Sequence, residues 1–358
     1  MAEMFQANGL ATLIGSLPLA DHNEALDLIW EHMPEIPVWA QLPVNRCEGM
    51  MVQFASGLPG LVHANDRLFV DTGGAAFDGE MLEFYEEFMA VAEDRTRLDD
   101  SRFVLTEDTA RGFFTFLKRL QTASRSPAAL KGQITGPFTF CTGIADQDKR
   151  AIFYDLQLRD AAVKLLALKA RWQTERLAEF QRPVIIFVDE PGLAGFGSSE
   201  FTSIAREEVM QCLEEVFEQV HLAGGLAGVH VCANTDWSLV LESAADVVSF
   251  DAYAYFDRFI LYRDQLRTFL KAGKFLAWGS VPTLNADDLE KETTDSLLRR
   301  FEGQVTQVTA LGIGPSQLIN QSLITPSCGA GTLSIDLAKK VLRVTGEISQ
   351  EIRQRYFN

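Results

Sequence analysis

Basic residues are scarce. Lys and Arg number 32 against 49 Asp and Glu, a formal net charge of −17 that is spread along the chain with no acidic tail. Such a field repels polyphosphates, which argues against nucleic acid as a partner and disfavours polyanionic small molecules unless local basic groups compensate. Long apolar runs are missing too: nothing approaches the ~18 residues that a membrane span needs. Residues 1–9 show no basic stretch leading into an apolar one, so no secretory signal is expected and the expected compartment is the cytoplasm. Cysteine is sparse and odd in number, with Cys47, Cys141, Cys212, Cys232 and Cys328 widely scattered. That pattern argues against a disulfide framework and leaves packing, metal ligation or reactivity for each thiol.

What the chain does have is apolar bulk, 47% hydrophobic residues over 358 positions, enough to bury a large core. Short β-branched runs alternate with longer amphipathic stretches, the pattern of repeated βα units around a parallel sheet. Eight runs are expected as strands: 11–15, 36–42, 129–135, 183–189, 225–231, 245–250, 274–279 and 317–324. Helical spacing covers 23–32, 150–181, 203–221, 235–243, 256–271, 286–311 and 334–353. Eight such units predict a single α/β chain forming one (β/α)8 TIM barrel over residues 1–358, a size that fold accommodates with insertions. Only the link between the second and third runs breaks the rhythm. Residues 43–127 are expected as an insertion over the barrel mouth, with a hairpin at 57–74 and helices at 79–94 and 108–123.

Chemistry concentrates at the ends of the later runs. His230 and Cys232 form an H-x-C pair in GVHVCANTDW. Two residues apart on a strand, an imidazole and a thiolate point the same way and can converge on one ion. Alone, such residues are more often core than ligands. Cys328, in TPSCGAG just past the eighth run, supplies a third soft ligand, and strand C-terminal ends share the mouth of a barrel. A Cys2His set with an open fourth position is the pattern of a catalytic zinc, since structural zinc is usually closed by four protein ligands. Asp251, in SFDAY, is a candidate fourth ligand; it is equally suited to cushioning a helix end or holding a metal-bound His. Cys212 lies in a helical pattern, VMQCLEEVF, that suits core packing; Cys47 and Cys141 have no companion ligands, and His63 and His221 receive no role.

Six segments in order carry a family resemblance: IGSLP (14–18), ITGPFTF (134–140), VDEPGL (188–193), then HVC, FD and PSCG. Together they resemble the catalytic barrel of cobalamin-independent methionine synthase, in the superfamily that also holds uroporphyrinogen decarboxylase and corrinoid methyltransferases. The likeness covers most of the chain outside the insertion. It implies a zinc held by His230, Cys232 and Cys328, with Asp251 standing where the family has a glutamate ligand. It further implies a homocysteine site in which Ile14, Gly15 and Ser16 hold the carboxylate and Asp189 takes the ammonium. Ser16 as a helix N-cap and Asp189 as a satisfied buried acid are the plainer alternatives. Glu190 is expected in substrate contact or in support of it, and Thr135–Pro137 as a scaffold turn.

The activity so implied is methyl transfer to the thiol of homocysteine, giving methionine. The expected donor is a methyl-corrinoid, free or on a corrinoid protein, because the folate-using synthases carry a second barrel that this chain lacks. Coenzyme M is an alternative thiol. A uroporphyrinogen-decarboxylase-like enzyme, which needs basic residues and no metal, and a non-catalytic zinc-binding protein are the competing classes.

Overall fold

The computed structural model describes residues 5–64, 67–198 and 201–357. Among them the strands, in chain order, are β1 (Leu61–Ala64), β2 (Arg67–Val70), β3 (Leu130–Thr135), β4 (Ala145–Asp146), β5 (Val184–Asp189), β6 (Leu226–Val231), β7 (Val247–Phe250), β8 (Phe275–Val281) and β9 (Ser322–Pro326). Six form one parallel sheet in the order β3-β5-β6-β7-β8-β9. Their residues are almost all buried, because a parallel strand is covered on both faces and so reads as a continuous apolar run.

The first two expected strands take a looser form. Runs 11–15 and 36–42 are extended segments tied in by single parallel bridges, Ala11 to Ile324, Ser16 to Gln41 and Val38 to Lys131. They therefore continue the sheet from β9 to β3 without forming ladders. The chemistry of the segments explains this: Pro37 has no N–H to donate and Gly15 sits at φ 150°, so regular pairing is interrupted. Backbone bonds still cross each gap, from Thr12 N to Ile324 O, Gln41 N to Gly15 O and Lys131 N to Pro37 O.

The eighth run differs as well. Gly314-Pro315 starts a short helix, Pro315–Asn320, so the strand is confined to Ser322–Pro326. Two long helical patterns are each split, into Phe256–Phe259 and Arg263–Lys271, and into Ala286–Lys291 and Thr294–Thr309, the last begun by a Thr293 cap. The pattern at 150–181 becomes a helix at Leu156–Ala178, with Asp155 accepting from the N–H groups of Gln157 and Leu158. No helix among the described residues is long and apolar enough to cross a membrane.

Alternate residues of one strand enter different cores. Ile185 and Phe187 join Leu10, Ile14, Ile36, Val247, Ala277 and Leu323 in an inner cluster, whereas Val184, Ile186 and Val188 join the larger cluster under the helices. That period of two places every second residue on the inner face. Towards the strand C-terminal ends this inner face changes from apolar to polar, through Gln133 and Thr135 on β3, Asp189 on β5, His230 on β6, Ser249 on β7 and Thr325 on β9, while Lys131 enters the same face lower down, as the second residue of β3 level with Ile185.

The 43–127 region holds the expected hairpin, β1 paired antiparallel to β2, with its connecting residues 65–66 outside the described residues. β4 extends it in parallel, and helices follow at Phe77–Glu93 and Glu107–Thr122. Phe103, Phe113 and Phe116 of this region belong to the same apolar cluster as the outer face of the sheet. Thr135 Oγ1, at the end of β3, donates to Met50 O at 2.7 Å, which lays the start of the region across the polar end of the sheet.

Candidate metal centre

His230 ends the inner row of β6 and Cys232 stands one residue beyond the strand, so both side chains leave on the same side. Cys328 follows β9 in a loop fastened by Ser327 N to Val281 O and by Thr283 N to Ser327 Oγ. The three ligand atoms lie within 4.8 Å of one another. His230 is 2% exposed; its Nδ1 meets Ser249 Oγ at 2.9 Å, while its Nε2 is buried without a partner. A buried nitrogen left unpaired costs free energy unless something else occupies it, and an ion between the three residues would do so. The neighbouring Cys328 thiol, with His230 helping against burial, holds the Cys232 thiol well below its usual range, while Cys328 itself is pushed up. A thiolate on Cys232 is the form a soft cation binds.

Asp251 does not join this group. Its Oδ1 accepts from Ala254 N at 2.8 Å, closing the turn after β7, and burial raises its carboxyl to about 6. Asp251 is not part of the group of three whose ligand atoms all lie within 4.8 Å of one another, and one of its two oxygens is taken by its own turn.

Asp189 is the ladder partner of His230 and is 5% exposed. Its Oδ1 is buried with no hydrogen-bond partner; desolvation lifts it to about 6, with His230 and Lys131 pulling the other way. The Ile14–Ser16 segment approaches the same region from its own bridge. Ser16 O accepts from Ala330 N at 2.9 Å and Ser16 Oγ from Gly331 N at 3.3 Å, so IGS packs on the loop that carries Cys328. Gly329 allows this close packing, since a Cβ would stand 2.0 Å from Ser16 Oγ and the hydroxyl would have to turn away.

Glu190 is engaged elsewhere. It is fully buried, and its two oxygens accept from Phe138 N at 2.9 Å, Thr139 N at 2.8 Å and Thr139 Oγ1 at 2.6 Å. Those donors open the helix Pro137–Gly143, so the expected Thr135–Pro137 turn is also a helix start whose free N–H groups hold a carboxylate. Gly136 permits the approach: a Cβ there would be 2.1 Å from Glu190 Cδ. Glu190 therefore supports the strand end and is not placed as a substrate contact. Glu190→Ala strands two buried N–H donors at about 1–3 kcal/mol each, so thermal melting is expected to fall by several degrees with metal content retained. Unchanged melting would overturn the support role.

Three inner-face residues escaped the sequence reading. Ser249 orients His230; Thr325 Oγ1 and Gln133 Oε1 are buried without partners. So did Lys131, fully buried, whose Nζ donates to Ile14 O at 2.7 Å and lies 4.3 Å from the Phe187 ring centroid. A lysine inside a segment expected as a buried strand, ALKGQIT, was the visible signal. No family model matches the sequence, and no characterised protein matches it.

Proposed function

We propose that the chain is a (β/α)8 barrel, its two bridged segments being the remaining staves, and that it is a zinc-dependent methyltransferase acting on the thiol of homocysteine. The observation that carries this is the Cys2His group with a buried, unpartnered His230 Nε2 and, among the described residues, no fourth protein ligand grouped with it. His230, Cys232 and Cys328 would hold zinc, a set typical of catalytic sites with one position left for substrate. When bound there, the ion supplies the acidity that takes the proton from a substrate thiol and leaves a thiolate ready for methylation. Ser249 keeps the imidazole oriented through Nδ1. Asp189, beside His230 with a free buried oxygen, receives the substrate ammonium, and the Ile14–Ser16 backbone faces its carboxylate. An ammonium partner favours an amino-acid thiol over coenzyme M, which has no amine.

Metal analysis of the purified chain followed by calorimetric titration with homocysteine tests this. About one zinc per chain is expected, with release of about one proton on binding, seen as a dependence of the heat on buffer ionisation. A chain without zinc, or binding without proton release, overturns it. Asp189→Asn is expected to weaken homocysteine binding by about tenfold or more, as loss of a charged hydrogen bond does, with zinc content unchanged. Equal loss of zinc and homocysteine would instead make Asp189 a support of the metal.

A further inference from the structure

Among the described residues, Lys131 is the one strongly basic group on the inner face of the sheet. Its ammonium is fully buried, donates to Ile14 O at 2.7 Å and lies over the face of Phe187. Neither contact neutralises it; burial pulls its pKa down to about 7, and the charge persists only so far as an opposite charge compensates. Asp189 is that charge. The two interact electrostatically with no direct hydrogen bond between them, and Asp189 Oδ1 stays unpartnered. The positive end of this separated pair is thus tied to the Ile14–Ser16 segment, and the negative end stands beside His230. A zwitterion fits that field with its ammonium on Asp189 and its carboxylate on Ile14–Ser16. A ligand with an amine alone would neutralise Asp189 and leave Lys131 buried without compensation.

We propose that Lys131 is a positioning residue for substrate recognition: anchored on the Ile14 carbonyl, it places positive charge behind the Gly15–Ser16 backbone and selects thiols that carry a carboxylate next to their ammonium. This rests on the thiol-methylation reading above and adds the source of its amino-acid selectivity. Lys131 reaches the ligand through the backbone and through Asp189, so its removal should change which thiol binds and leave the metal in place.

The test is calorimetry on the zinc-loaded full chain with homocysteine and with 3-aminopropane-1-thiol, which is homocysteine without its carboxylate. In Lys131→Met, homocysteine affinity is expected to fall about tenfold or more, while the aminothiol changes less than about twofold. Lys131→Gln, which keeps an N–H donor for Ile14 O without the charge, should show the same selective loss and covers the case in which the Met variant fails to fold. Parallel loss of both thiols, or no change for homocysteine, overturns the role of Lys131. Failure of the unsubstituted zinc-loaded chain to bind homocysteine overturns the methyltransferase reading as well, so the two outcomes are distinguishable.

Discussion

Cys328→Ser is expected to empty the metal site and abolish methyl transfer while the fold survives. Cys328 sits on a loop after β9, outside the apolar clusters, and the loop is held by backbone bonds and by Ser327 rather than by the thiol. Serine is close in size, so packing changes little. The donor set changes sharply: two soft thiolates and an imidazole become one thiolate, one imidazole and a hydroxyl that keeps its proton. Outer partners of metal ligands already cost about 10–100-fold in affinity when removed, so loss of a direct ligand should exceed about 100-fold. Loss of the Cys328 thiol also removes the largest influence that favours a thiolate on Cys232, leaving mainly His230 to oppose its burial. Zinc content by atomic emission, circular dichroism for the fold and methionine formation are the three readouts. A variant that retains full zinc and full activity places the centre elsewhere.

The choice of donor is expected to be equally decisive. With homocysteine and zinc-loaded protein, methylcobalamin should give methionine and methyltetrahydrofolate polyglutamate should not. A methyl group on cobalt departs readily to a thiolate. The folate methyl is bound to an amine that must be protonated as it leaves, which requires an acid placed over the site. The buried acids near the centre do not serve: Glu190 is occupied by the Pro137–Gly143 helix start, Asp251 by its own turn, and Asp189 faces the expected ammonium. A polyglutamate tail also meets a chain of net charge −17. Turnover with the folate alone, and none with methylcobalamin, sinks this choice.

The three candidate ligands were legible because their chemistry is local. H-x-C on a strand fixes the direction of two side chains whatever the rest of the chain does. Eight runs were legible for the same reason, although only six formed ladders: Pro37 and Gly15 spoil pairing in ways that an apolar count overlooks. Asp251 shows the opposite case. Its position after β7 was evident, but whether a carboxylate turns outward to an ion or back to Ala254 N depends on a turn geometry no spacing reveals.

Residue identity and period alone therefore determined the class of fold, the run boundaries near most strands and the set His230, Cys232 and Cys328, because burial alternation and ligand softness are properties of single residues and their near neighbours. Tertiary structure alone decided that Cys328 comes within 4.8 Å of the β6 pair, that Glu190 is spent on a helix start, that Asp251 stays out of the centre and that Lys131 lies under Ile14. Asp251 is decided by the geometry of its own turn; the other three depend on which strand ends and loops meet across long chain separations. That meeting is set by the packing of the whole sheet against its helices, and not by any local signal.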